Sequence, residues 1–458
     1  MKKNIFLVCS IAVMLMSCND FLDIKPKGEA VPTKATEYEQ LLNYAQLTKA
    51  LDCSPEYLTD NVWMPDKGYK GFEDLDQAER NIYTFQSEIY DVGEYDLIWL
   101  QSYSRILYCN TVANQIMDSE GDEDYKLRVR ADALVLRAFD YLGLVNAYGK
   151  LYDKNTSATD PGVPLQISEA IDDSPSVRAS VQAVYDQIQK DLDEAVKNLP
   201  EKNIFPYRGS KGLASGLQAR MYLYMGNYEK AGYWAKETLK LNNTLLDMTK
   251  NSVVDPDKTV GRTDMPDDAD DNPENINIRF TPAAYGLAGQ TYPSAELLSL
   301  YTEDDARFQL WFTKKVGTNV VDNYIYAPYY GLNVSITVQE MMLVAAECDA
   351  RAGDKDAAMK YYNDLREKRI HNYTRETATD AEDALRKVLD ERRRELAFNG
   401  LHRLIDLKRL NKDPRFRKTI VHTVKGVDYV LEPESPKYVL PIPPMVTEMN
   451  PDMVLNER

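Results

Sequence analysis

Histidine and cysteine are both scarce in this chain of 458 residues, with three His and five Cys. His371, His402 and His422 stand in no HExxH arrangement, and neither a GxSxG nor a P-loop pattern is present. Zincin-type hydrolysis, the serine-hydrolase elbow and phosphate cradling therefore lack motif support. The two carboxylates of a glycosidase can come from anywhere in a sequence, so 72 acidic residues discriminate nothing. No CxxC pair exists, and beyond Cys9 and Cys18 only Cys53, Cys109 and Cys348 remain. Three thiols close at most one disulfide, which excludes a disulfide-built scaffold and leaves buried packing as their expected role. Positive charge is also in deficit: 55 Lys and Arg against 72 Asp and Glu give a formal net charge of −17. Such a body repels nucleic-acid backbones and anionic membrane surfaces.

What is present begins with an export signal. Lys2 and Lys3 precede Ile5–Met16, an apolar run broken only by Ser10 and too short to span a bilayer. Leu15-Met16-Ser17-Cys18 resembles a bacterial lipobox, with Met16 where a smaller residue is more usual. The expected mature chain starts at an acylated Cys18 and carries a net charge of −19, since Lys2 and Lys3 leave with residues 1–17. At about 0.8 kcal/mol per buried methylene, several acyl chains hold such a protein to a membrane almost permanently. Residues 18–36, with Pro26, Gly28 and Pro32, read as an extended tether.

Helical periodicity dominates from Glu37 onward. Ile98, Tyr103, Ile106, Val112 and Ile116 recur near helical spacing. Leu127, Ala131, Leu134, Ala138, Tyr141, Val145 and Tyr148 alternate steps of four and three, which predicts a helix over 127–148 with Gly149 as its C-cap. Ser180 is placed to cap a helix over 181–198 that Pro200 stops. An internal echo follows. Ala219 stands seven residues before Gly226 and Ala231 five after it, and Ala346, Gly353 and Ala358 repeat the spacing. Small residues at those points let two antiparallel helices close around a turn, as in a tetratricopeptide (TPR) unit.

The chain thus divides into a helical region at 37–249, a loop-rich insertion at 250–335 and a C-terminal region at 336–458. Within the insertion, Ile276–Phe280 and Val320–Tyr326 are candidate strands, as are residues 419–432 further on. The fold class expected is mainly α, a TPR-like helical superdomain carrying an insertion with short strands.

Several segments carry a family resemblance. They are Cys18-Asn-Asp-Phe-Leu-Asp23, Trp99–Asn110, Arg137–Tyr141 with Tyr148-Gly149, and Val184–Leu192. Glu391-Arg-Arg-Arg-Glu395-Leu-Ala-Phe398-Asn-Gly400 follows, with Arg403, Asp406 and Arg409, then Leu440-Pro-Ile-Pro443 and Asn450-Pro451. In this order they resemble the SusD/RagB family of outer-membrane nutrient-binding lipoproteins. Departures are Asn399 where Glu is common, one residue inserted between Gly400 and Arg403, and a divergent terminus at Asn456–Arg458. The resemblance implies a surface lipoprotein, anchored in the outer membrane, that works as a hinged lid on a SusC-like TonB-dependent transporter. It implies oligosaccharide as cargo, or peptide in RagB-like members; a TPR scaffold that binds only protein is the other reading.

Sugar capture needs flat rings for the C–H face of a pyranose and directional polar groups for its hydroxyls. With 31 Tyr against 11 Phe and 4 Trp, rings with a polar tip are plentiful. Two irregular stretches combine the required groups. Asp60, Asn61, Trp63, Tyr69 and Phe72 lie in a Gly- and Pro-punctuated segment, and Tyr285, Tyr292, Tyr324 and Tyr326 lie in the insertion with Tyr329 and Tyr330. Trp99 is expected to be a core residue, Trp311 to pack under the insertion, and Trp234 to be structural on the second helix of the repeat echo. The Glu391–Glu395 motif reads as an ion-pair network on a docking helix rather than an anion site. No cofactor is expected; Asp267–Asn272 offers calcium-type oxygens without EF-hand spacing and reads as a solvated acidic loop. No catalytic or metal residues are assigned.

Overall fold

The computed structural model describes residues 32–44, 47, 54–170, 176–258, 261–266, 269–280, 291–317, 319–327 and 333–458. Cys18 and the tether up to residue 31 lie outside them, as do Cys53, Asp267, Asp268, Tyr285, Tyr329 and Tyr330.

Fourteen α-helices and eight short strands are found among the described residues. The first part contains α1 (Ala35–Leu41), β1 (Val62–Trp63), α2 (Gln77–Tyr83), α3 (Leu97–Gln115) and α4 (Glu123–Tyr148). Next come β2 (Pro161–Pro164), β3 (Arg178–Ser180), α5 (Val181–Ala195), α6 (Lys211–Tyr224) and α7 (Tyr228–Leu241). The insertion supplies β4 (Tyr292–Pro293), α8 (Ala295–Ser299), α9 (Ala306–Trp311), β5 (Phe312–Val316) and β6 (Asn319–Tyr326). The last part holds α10 (Val338–Arg351), α11 (Lys355–Arg366), α12 (Ala381–Glu395), α13 (His402–Leu410), β7 (Ile420–Val424), β8 (Val427–Leu431) and α14 (Pro444–Met449). The strands form four antiparallel pairs, β1 with β4, β2 with β3, β5 with β6 and β7 with β8. The mainly-α class expected from periodicity is the one observed.

Helix α4 is the spine. The Asp122 carboxylate accepts from the Tyr125 N–H at its start. Along its stripe Ala131, Leu134, Ala138, Tyr141, Val145 and Tyr148 are all buried. Gly149 is its C-cap, as expected, donating its N–H to the Val145 carbonyl from an extended backbone at φ −107° rather than a left-handed one. Lys408 adds to the cap, its buried ammonium donating to the Asn146 and Gly149 carbonyls at 2.7 and 3.0 Å. Helix α5 starts as predicted, with Ser180 Oγ accepting from the Ala183 N–H.

The internal echo folds into two hairpins, α6–α7 and α10–α11. Their turns use left-handed glycines, Gly226 at φ +71° and Gly353 at φ +92°. Ala219, Ala231, Ala346 and Ala358 are fully buried between the paired helices. The hairpins also stack on each other, since α10 packs against α7. At that contact a Cβ on Gly232 would lie 2.9 Å from the Cβ of Cys348. Cys348 and Cys109 are buried free thiols. In the insertion, β6 spans the predicted 320–326 and residues 420–431 form the β7–β8 hairpin. Residues 276–280 correct the prediction: residues 333–337 run antiparallel beside them, but only isolated bridges form, Asn275 to Thr337 and Phe280 to Asn333. The register slips by one residue between the two, and the Ile276 and Asn277 N–H groups converge on the Ile336 carbonyl.

The Glu391–Glu395 motif faces inward. Arg307 binds Asp305, Glu391 and Glu395, while Arg366 reaches Glu391 and Arg369 joins Glu395 to Glu274. Burial works to raise the Glu391 carboxyl, but Arg307, Arg394 and Arg366 hold it well below the usual range. Insertion and helical scaffold are thereby ion-paired through the core.

Candidate functional site

β1 is only two residues long, paired Val62 to Pro293 and Trp63 to Tyr292. Strand alternation buries Val62 and turns Trp63 outward, leaving it 38% exposed. Tyr292 meets the indole edge-on, with centroids 5.9 Å apart and planes at 86°. The Tyr292 hydroxyl donates to the Tyr69 carbonyl, which fixes the plane of both rings.

A groove of about 580 Å³ opens beside Trp63, a volume in the usual range for small-ligand sites. Glu296 of α8, Lys314 of β5, Asn323 and Tyr324 of β6, Lys418 ahead of β7, and Val421 and His422 of β7 line it. Tyr324 is braced by Phe308 at 5.0 Å, and the Lys314 ammonium stands 5.1 Å from the Tyr324 ring centre. His422 sits between the rings of Tyr83 and Phe85, at 4.1 and 4.7 Å. Its ring nitrogens lie 2.7 Å from the Tyr83 carbonyl and 3.0 Å from that of Thr59, so β7 is fastened to the opposite wall. Burial lowers the His422 pKa.

The floor is ionic. Arg403 forks onto the Asp60 carboxylate through two 2.7 Å bonds, Arg393 approaches it at 3.1 Å, and Lys418 adds a third cation. Glu296 binds the same Arg393 and Lys418. Burial pushes Asp60 upward, yet Arg403, Arg393 and Lys418 overcome it and hold the carboxyl well below its ordinary value.

The structure sorts the sequence-derived candidates. Trp63 and Tyr324 share the groove, and Asp60 contributes to its floor. Asp60 itself is buried and saturated by cations, so its oxygens are not offered to a ligand. Asn61 is fully buried, donating to Glu56 at 2.8 Å and accepting from Arg393 at 2.9 Å. Tyr326 is a core ring between Phe312 and Phe398, and Tyr292 is a support 3% exposed. Tyr69 and Phe72 are half-buried against the core and line no part of the groove. Asn61, Tyr326 and Tyr292 are therefore buried rather than open to this groove, and Tyr69 and Phe72 lie outside its lining. Tyr285 is outside the described residues. Trp99 is a core residue, as expected, and Trp311 is buried as well.

Glu296, Lys314, Asn323, Lys418 and His422 were not singled out in the sequence. No short motif joins them; Glu296 and Lys418 are brought together across 122 positions. A second cavity of about 470 Å³ gathers Tyr57, Tyr90 and Tyr95 with Asp76, Glu79, Glu94 and Asp96, but presents no Trp. Among the described residues no group of three His, Cys, Asp or Glu is placed to hold a metal ion. No described helix is long and apolar enough to cross a membrane.

Two family models match the chain. One, described as starch-binding associating with outer membrane, covers residues 20–223, and one described as the SusD family covers 338–458. Two SusD-like proteins of Formosa agariphila, P38 and P2, are 26% identical over 245 residues and 29% over 145. Those alignments take in 50% and 31% of this chain, and 44% and 26% of the relatives, so the chain matches less than half of either. A SusD-like carbohydrate-binding protein of Bacteroides vulgatus superposes with a TM-score of 0.70 at 22% identity, covering 92% of this chain and 98% of that one. A SusD superfamily protein of Bacteroides thetaiotaomicron gives 0.72 at 18%, covering 93% and 100%. At such identities the likeness establishes the fold.

Proposed function

Because the chain belongs to the SusD family, we propose that it is a non-catalytic lipoprotein that captures oligosaccharide at the cell surface and delivers it to a SusC-like TonB-dependent transporter. The observation that carries this reading is the meeting of an outward indole, Trp63, with Tyr324 and the polar groups of Asn323, Glu296 and Lys418 in one groove. A pyranose stacks its C–H face on the indole, while its hydroxyls donate to Glu296 and the Asn323 carbonyl and accept from Lys418. The groove is made from residues 60–63 and Tyr83 of the first region, the insertion, and β7 with the residues just ahead of it. Cys18 anchors the chain in the outer membrane, and the Pro-containing tether gives the body reach to sit over its transporter. The reading assigns no bond cleavage to this groove; the ion-pairing of Asp60 and Glu296 to cations supports it, since neither is poised as an acid.

The test uses isothermal titration of the full chain against glycan and peptide panels, with labelled-ligand binding by intact cells alongside. Trp63→Ala is expected to weaken glycan binding about tenfold, a stacking contribution near 1.4 kcal/mol, without unfolding the protein. Unchanged glycan affinity in the variant removes this groove from consideration, and exclusive binding of peptides transfers the same groove to a peptide cargo.

A further inference from the structure

The groove is more evenly charged than the rest of the molecule. The chain as a whole is at −17. Among the residues that line the groove, Asp60 and Glu296 are anionic while Lys314 and Lys418 are cationic, and Arg393 and Arg403 lie behind them as partners of the two carboxylates. The lining is thus balanced in an acidic protein, and its carboxylates are already neutralised from behind. Asp322, next to Asn323 on β6, is not part of the lining.

The four cations are not equivalent. Arg393, Arg403 and Lys418 are each engaged with Asp60, and two of them with Glu296. Lys314 forms no ion pair among the described residues; its ammonium is steered by the face of Tyr324, 5.1 Å away. An exposed lysine is ordinarily solvated and silent. Here it is aimed by a ring that also lines the groove, so a group bound beside Tyr324 meets the charge directly. A neutral sugar has only hydroxyls to offer this ammonium and gains little over water. A carboxylate or sulfate on the sugar gains a charge-assisted hydrogen bond from an ammonium that has no carboxylate partner of its own among the described residues.

Resting on the reading of this groove as a glycan site, we infer that its cargo is an anionic oligosaccharide, with Lys314 as the residue that selects the acidic group. The ring of the sugar lies on Trp63, its carboxylate or sulfate faces Lys314 and Lys418, and the Lys418–Glu296 pair sets how closely the acid approaches. Because partly exposed charges are screened, raised salt weakens this binding while leaving the stacking contribution in place.

The experiment compares full-length wild type, Lys314→Gln and Trp63→Ala by isothermal titration at low and raised salt. The probes are oligogalacturonate and alginate oligomers with their carboxyl-reduced counterparts, and sulfated galactan oligomers with their desulfated counterparts. The expected result is that wild type prefers an acidic oligomer to its neutral counterpart about tenfold or more, and that Lys314→Gln removes about that factor for the acidic form only. Which acidic series responds distinguishes carboxylate from sulfate. Equal affinity for charged and neutral forms, weakened by Trp63→Ala but not by Lys314→Gln, overturns the inference and leaves the glycan reading standing. No binding of any probe, charged or neutral, overturns both. Lys314 is exposed, so circular dichroism of the variant should match wild type.

Discussion

Trp63 is exposed because a two-residue strand leaves no room for a second outward position, and because Tyr292 takes up only one edge of the indole. Just behind it, Glu56 illustrates how burial sets chemistry. Its carboxyl is buried beside Asp60, and one oxygen accepts from Asn61. Burial raises its pKa to about 7, with the Asn61 amide working in the opposite direction. In the unfolded chain the same group titrates near 4.5. The folded state therefore holds a proton that the unfolded state has lost over this window, so the stability it contributes is complete below 4.5 and declines as pH rises through 7. Glu56→Gln, which mimics the neutral acid, is expected to remove that decline, a difference of up to about 3 kcal/mol between acidic and mildly alkaline conditions. Urea denaturation of both proteins across that range checks it, and parallel pH profiles would contradict the assignment.

At the scale of elements, the hairpins were the most legible part of the chain. Steps of three and four along Leu127–Tyr148, and small residues flanking Gly226 and Gly353, report local helical geometry that needs no distant partner. That the two echoing hairpins stack on each other was not legible, because nothing in either hairpin says where the chain between Leu241 and Val338 will return it. Gly232 is the physical trace of that stacking, since it lets α7 approach α10 at Cys348. Gly232→Leu is expected to destabilise by about 2 kcal/mol through overpacking, despite the better helix propensity of Leu. Thermal or urea unfolding measures it; a variant as stable as wild type would mean that the helices separate without penalty. Residues 276–280 failed as a strand for the complementary reason: Ile276, Ile278 and Phe280 alternate as strand residues do, but a ladder needs a partner in continuous register, and residues 333–337 slip by one position between their two bridges.

For the molecule as a whole, the groove is where distant segments meet, and this is why only its rings were visible beforehand. Trp63 and Tyr324 stood out because large aromatics in irregular segments have no helix to pack. Asp60 and Asn61 stood out on the same grounds but are claimed by Arg393 and Arg403, more than 330 positions away. Those arginines belong to the C-terminal family segments, so residues that identify the scaffold also support the site indirectly. This makes two kinds of destabilised variant separable. Arg403→Met leaves the Asp60 carboxylate with Arg393 and Lys418 alone, and loss of one partner from a buried pair is expected to cost about 3 kcal/mol. Released from its fork, Asp60 draws Lys418 and Arg393 away from Glu296, and the groove wall on α8 shifts with them. Measured well below the unfolding transition, Arg403→Met should therefore bind ligand more weakly, whereas Gly232→Leu, destabilised at a remote helix contact, should bind as wild type does. Equal losses of affinity in both variants would show that binding follows global stability, and the ionic floor would then have no separate role in shaping the groove.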